Sequence, residues 1–294
     1  MSMQIGFVGL GIMGRPQALN LLKGGHRLAV YARRAESMKP LADAGATACA
    51  TPAEVARLSD VTFTMVSDTA DVEQVILGKG GVIEGVKSGA VVVDMSTISP
   101  SATRAMAKRL AEAGAEMLDA PVSGGEGGAI AGTLSIMVGG KQEVFDRVKP
   151  LFECMGKNIV RIGDNGAGQV AKACNQIVVA VTIEAVSEAI ALARRLGVDA
   201  GKVREALMGG FAGSRVMEVH GKRMLDNDFK PGFKVRLHQK DLRIVLDAAH
   251  EAGLSLPGTA LAAQNLNALM GSGDGEIDSS AIIKVLERMA SKGA

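Results

Sequence analysis

The stretch Ile5-Gly6-Phe7-Val8-Gly9-Leu10-Gly11-Ile12-Met13-Gly14 decides how this chain is read. Apolar residues at Ile5, Phe7 and Val8 suit a buried strand, and an apolar segment running to Leu22 suits a helix. Between them Gly9, Gly11 and Gly14 fall in the G-x-G-x-x-G spacing. The first glycine permits a sharp turn, the second lets backbone approach a pyrophosphate, and the third lets the helix pack closely on the strand. A helix N-terminus then offers free N–H groups and a positive dipole end to the phosphates. Residues 9–14, with Leu10, Ile12 and Met13 between the glycines, are therefore the candidate cradle of a dinucleotide. The spacing is weak by itself, because the chain has 37 glycines. Its place between a strand and a helix gives it meaning.

Working outward, helical and strand patterns alternate. Helix continues over residues 16–23 and stops at Gly24-Gly25, and a second strand covers 27–31. Residues 37–44 read as helix. Thr51 and Pro52 read as N-cap and first residue of a short helix. Further strands are expected over 61–66, 91–94, 116–120, 134–138 and 159–162, with helices over 71–77, 101–113 and 142–155. Alternation of this kind implies a Rossmann-type, doubly wound, mostly parallel α/β sheet covered on both faces. Beyond Gly163 the strand signal stops. Residues 166–196 read as one long helix, apolar on most sides at 178–181 and so expected to be buried between layers. Helices follow over 202–208, 217–227, 239–252, 258–270 and 279–289. The expected division is a dinucleotide-binding domain, 1–163, and an all-helical domain, 164–294.

The bulk numbers bound the function. Thirty-three basic residues are offset by 31 acidic ones, and no basic run marks nucleic-acid or membrane binding. With no Trp and one Tyr, a base-stacking platform is not expected. Cys49, Cys154 and Cys174 are odd in number and far apart, which suits a reducing cytoplasm. The N-terminus passes almost directly into the first strand, so no signal peptide is expected. Residues 169–196 are long and apolar but include Lys172, Asn175, Glu184 and Glu188, so no membrane span is expected. The four histidines match no metal spacing.

Three other stretches are candidates for chemistry. Arg33 and Arg34 follow the second strand, about 20 residues after the glycine turn, where an NAD site commonly carries a carboxylate on the ribose. Ala32 stands there instead. Guanidinium groups bind a 2′-phosphate through charge-assisted hydrogen bonds, so the pair points to NADP(H) unless both simply face water. Asp119-Ala120-Pro121-Val122-Ser123-Gly124-Gly125 ends a strand with a hydroxyl and exposed backbone N–H groups that suit a small anion. Spacing alone suits a plain turn equally. In residues 166–176, Lys172, Asn175 and Gln176 share one helix face. A lysine buried on an apolar helix is costly without purpose, and a desolvated one can protonate a developing alkoxide. It can also lay its stem on the surface and keep its head in water. Lys240 and Asp241, in Leu237-His238-Gln239-Lys240-Asp241-Leu242, read as a solvated helix start.

Residues 9–14, 119–125, 166–176 and 237–242, in this order, resemble the β-hydroxyacid dehydrogenase family over nearly the whole chain. The resemblance implies that Lys172 is the catalytic lysine and that Asn175 helps hold the substrate. It implies that Ser123, Gly124 and Gly125 bind the substrate carboxylate. Val66, Ser67 and Asp71 would line the adenosine side of the cofactor, and Thr97 and Lys240 its nicotinamide end. The implied reaction is hydride transfer between NADP(H), or NAD(H), and a short 3-oxo or 3-hydroxy acid. Residues 116–126, 209–214 and 228–233 carry a closer resemblance within the family, which implies tartronate semialdehyde, reduced to D-glycerate. Succinic semialdehyde and a 3-hydroxyisobutyrate-type acid are the alternatives, and a catalytically silent dinucleotide-binding module is a remote one. The family's habit is a homodimer or homotetramer.

Overall fold

A computed structural model describes residues 3–291. The chain divides into two compact units, one up to Lys172 and one from Ala173. In the first, the elements are β1 (Gln4–Val8), α1 (Gly14–Lys23), β2 (Arg27–Tyr31), α2 (Lys39–Asp43), β3 (Thr47–Ala48), α3 (Pro52–Arg57), β4 (Val61–Thr64), α4 (Thr69–Leu77), β5 (Val91–Asp94), α5 (Pro100–Glu112), β6 (Glu116–Asp119), β7 (Val122–Ser123), α6 (Gly125–Ala131), β8 (Leu134–Gly139), α7 (Gln142–Glu153) and β9 (Gly156–Gly163). Helix α8 (Ala167–Arg195) begins in this unit and continues into the second.

The strands form one sheet in the order β3-β2-β1-β4-β5-β6-β8-β7, with β9 paired to β8. Strands β1 to β6 run parallel, as the alternation implies. Strand β8 runs antiparallel to β6 and β7. Side chains of one strand point to opposite faces by turns. Phe7, Val30, Phe63, Val91 and Val93 bury into one core layer, while Val8, Ala29, Val92 and Met117 bury into the other. Both faces are thus covered, which is why Val91-Val92-Val93 is apolar without interruption. Phe63 stacks on Phe7 at 6.0 Å and meets Phe152 edge-on at 6.2 Å.

The second unit is helical: α9 (Ala200–Met208), α10 (Arg215–Asp226), α11 (Val235–Glu251), α12 (Pro257–Gly271) and α13 (Ile283–Ser291). Its core joins Ile183, Val186 and Ile190 of α8 to Leu242 and Val245 of α11 and to Leu266 and Leu269 of α12. By length and composition α8 is apolar enough to cross a bilayer. Its buried stripe, however, lies in this core.

Several expectations need correction. The helix expected over 37–44 is a 3-10 turn (Ala35–Ser37) followed by the short α2, whose second residue is Pro40. The helix expected over 279–289 opens as a 3-10 turn (Ser279–Ile282). Strands β3 and β7 and helix α6 carry no sequence signal. The three glycines of α6, Gly125, Gly127 and Gly128, are poor helix formers, and packing of Ala129 into the core, with Asn20 Nδ2 donating to the Ala129 carbonyl at 2.8 Å, holds the turn. Residues 178–181 are not buried on most sides, since Val178 is 65% exposed.

Candidate active site

The parallel strands end in one row. Tyr31, Val8, Thr64, Asp94 and Asp119 are successive register partners across β2, β1, β4, β5 and β6. The order reverses between β1 and β4, which defines a switch point at the carboxyl edge, where α/β sheets bind ligands. The loops leaving this row carry the residues singled out from the sequence: 9–14, 33–34, 66–71, 97 and 120–125.

The glycine turn fits a dinucleotide. Gly9 adopts φ +97°, and a side chain there would meet the Met65 carbonyl oxygen at 2.3 Å. At Gly14 a β-carbon would lie 2.0 Å from the Gly9 carbonyl oxygen, so the helix can approach the strand only without one. At Gly11 a β-carbon would meet nothing within 4 Å. Gly11 therefore borders open space rather than packed chain. No side chain caps the N-terminus of α1, and its first turn carries no acidic residue to compete with phosphate.

On the adenosine side, Arg33 is exposed and its guanidinium lies 3.5 Å from the Asp71 carboxylate. Both candidates thus stand at one edge. Val66 and Ser67 follow β4, and α4 begins with Asp68 as its cap. Two bonds tie this loop to the one bearing Thr97. The Val66 N–H donates to Ser96 Oγ at 3.0 Å, and the Ser99 N–H donates to Thr69 Oγ1 at 3.2 Å.

Beneath Thr97 lies a buried carboxyl that sequence reasoning missed. Asp94 Oδ1 accepts from Thr64 Oγ1 at 2.8 Å and from the Ser96 N–H at 3.2 Å. Its Oδ2 is buried without a partner among the described residues. Burial pushes this carboxyl up to about 6, and the Ser96 and Thr64 hydrogen bonds only partly offset it. A charged residue closing an otherwise apolar strand was the available signal.

Asp119 has a second missed role. Its Oδ1 accepts from the Gly166 N–H at 2.7 Å and its Oδ2 from the Gln169 N–H at 3.0 Å. The strand that leads to Ser123–Gly125 thus supplies the cap of α8 from 47 residues away. Burial raises the Asp119 carboxyl, against the pull of these N–H donors. Gly124 holds φ +132°, and α6 starts at Gly125. Lys172, one turn further along α8, is 7% exposed. The side chain as a whole is therefore largely buried.

In the second unit Asn175 and Gln176 stand on the same face of α8. Asn175 Nδ2 donates to Gln176 Oε1 at 2.7 Å, and Gln176 Nε2 donates to Asp241 Oδ2 at 2.6 Å. The other oxygen of Asp241 pairs with Lys240 Nζ at 2.9 Å, and both side chains are largely buried. The expectation of a solvated helix start fails here, because α11 begins at Val235 and puts Lys240 and Asp241 in its second turn.

Known proteins resemble the chain in both of its units. A family described as the NAD binding domain of 6-phosphogluconate dehydrogenase matches residues 4–163. A second, described as NAD-binding of NADP-dependent 3-hydroxyisobutyrate dehydrogenase, matches 166–286. The 2-hydroxy-3-oxopropionate reductase of Escherichia coli K12 is 50% identical over 292 residues, covering 98% of each chain.

The chain belongs to the β-hydroxyacid dehydrogenase family.

Like other β-hydroxyacid dehydrogenases, it is an NAD(P)-dependent oxidoreductase acting on a short hydroxy acid. Among solved structures, a Mycobacterium tuberculosis 3-hydroxyisobutyrate dehydrogenase with L-serine has a TM-score of 0.89 at 33% identity, covering 97% of this chain and 99% of that one. A protein named Psf3, in complex with NADP+ and 2-OPP, has a TM-score of 0.86 at 25% identity, covering 96% and 99%.

Proposed function

We propose that this dehydrogenase reduces tartronate semialdehyde to D-glycerate in the cytoplasm and prefers NADPH. The observation that carries the reading is the buried Lys172, one turn beyond a helix start held by the strand that delivers Ser123–Gly125. In this reading the Ser123 hydroxyl and the N–H groups of Gly124 and Gly125 hold the substrate carboxylate. Asn175 orients the remainder. Lys172 Nζ gives a proton to the aldehyde oxygen as charge develops there. When bound, the dinucleotide supplies the hydride at its nicotinamide carbon. Residues 9–14 hold its phosphates, Val66, Ser67 and Asp71 its adenosine side, and Thr97 and Lys240 its nicotinamide end. The likeness to the Escherichia coli reductase supports the substrate.

NADPH preference is supported by Ala32, which leaves no carboxylate at the end of β2, and by the exposed Arg33 and Arg34. One charged hydrogen bond to a 2′-phosphate is worth roughly 1.5–3 kcal/mol, on the order of tenfold to a hundredfold. The three free thiols support a reducing compartment. Exposed apolar residues of α8, Val178 and Leu192, with Leu196 just beyond its end, support a homodimer or homotetramer.

A panel of semialdehydes with both reduced cofactors tests the reading. Tartronate semialdehyde should exceed succinic semialdehyde in kcat/KM, because the longer chain shifts its aldehyde away from Lys172. Better turnover of succinic semialdehyde, or of 3-hydroxyisobutyrate in the oxidative direction, would overturn the substrate. A clear NADH preference would overturn the role given to the arginines.

A further inference from the structure

We infer that Gln169 is a positioning residue, which fixes the Thr97 loop against the helix turn that carries Lys172. Gln169 is 2% exposed, and both ends of its amide are used. Its Oε1 accepts from the Ile98 N–H at 3.1 Å, and its Nε2 donates to the Ser96 carbonyl at 2.8 Å. One side chain thus closes on both sides of Thr97. The Gln169 N–H is itself bound by Asp119 Oδ2, so the backbone that presents the amide is anchored as well. Lys172 follows three residues later, on the same helix face. Asp94 grips the same loop from below through the Ser96 N–H. A buried backbone N–H and C=O at 96–98 would otherwise lack partners, and a loop so deprived shifts to find them.

The inference rests on the proposed roles of Thr97 and Lys172. It requires that the loop and the lysine keep a fixed spacing, since reacting groups misplaced by about 1 Å lose roughly a hundredfold in rate. Gln169→Met keeps the length and shape of the side chain and removes both hydrogen bonds. The expected result is a kcat lower by roughly tenfold to a hundredfold, with the Kd for NADPH changed by less than about threefold. In the cofactor-free protein, hydrogen exchange at residues 96–98 should be faster in this variant than in the parent. Gln169→Met combined with Thr97→Ala should be no slower than the worse single variant, because both act through one loop.

Gln169→Glu supplies a second arm that does not depend on Gln169→Met being well folded. Its protonated carboxyl has one donor and one acceptor, like the amide, whereas the carboxylate has no donor for the Ser96 carbonyl. Burial raises the pKa of such a glutamate. Activity relative to the parent should therefore recover as pH falls, a limb that Gln169→Met lacks. Each assay uses whichever 3-oxo or 3-hydroxy acid the parent turns over best, so a wrong substrate assignment overturns that assignment alone. Parent-like kcat and exchange in Gln169→Met, additive effects with Thr97→Ala, or a Gln169→Glu profile parallel to the parent's would each overturn the inference.

Discussion

At the scale of single residues, the chemistry depends on polar groups that the fold buries at some cost. Lys172 is the clearest. Replacing it by alanine should lower kcat by roughly two to four decades, the span of one positioned proton donor. NADPH binding should be nearly unchanged, because the seat proposed for the phosphates is the glycine turn. Fluorescence titration and steady-state rates of Lys172→Ala check both halves, and near-normal kcat would remove the lysine from the mechanism. Asp94 bears its cost in stability. Its carboxyl stands near 6 in the folded chain, against 3.8 for an ordinary aspartate. A carboxyl raised in this way contributes stability that is fully present below the unfolded value and lost as pH rises through the folded one. The loss lies between about pH 4 and 6 and approaches roughly 3 kcal/mol. Asp94→Asn cannot titrate, so the parent should lose more stability than the variant over this window in urea unfolding. Asp119 titrates in both proteins, and its charge adds to the rise at Asp94. Equal pH slopes would show that Asp94 is not neutralised by burial.

At the scale of elements, what could be read in the sequence follows from how local each signal is. Strand β2 and strand β5 were legible to the residue, because apolar runs bounded by turn residues need no distant partner. Thr51 and Pro52 begin α3 as expected, with the Thr51 hydroxyl accepting from the Glu54 N–H. Strand β7 and helix α6 were not legible. The first is two residues paired to Ser135 and Ile136, and the second is glycine-rich, so tertiary packing overrides propensity in both. The same reasoning explains the site. Glycines at 9, 11 and 14 announce themselves by spacing, and Lys172 by its apolar surroundings. The partners that fix them do not. Asp94, Asp119 and Gln169 act on residues far away in sequence, and Asp241 acts on Gln176 across 65 positions. No local pattern encodes such a contact.

At the scale of the whole molecule, likeness to the Escherichia coli reductase runs through both compact units, over 98% of the chain. Membership of the family could be read from four short motifs in order, because their combination is specific where each alone is not. The choice among substrates is not written in those motifs, since a carboxylate-binding turn and a buried lysine serve any short 3-oxo acid. In the proposed reaction this chain reduces an aldehyde at carbon 3, with the acid group held at Ser123–Gly125. Tartronate semialdehyde has an isomer, hydroxypyruvate, whose reduction also yields glycerate but delivers the hydride to carbon 2. Turnover with NADPH deuterated at the nicotinamide carbon, followed by NMR of the glycerate formed, separates the two. One deuterium on carbon 3 and none on carbon 2 is the expected result. Deuterium on carbon 2 would contradict it.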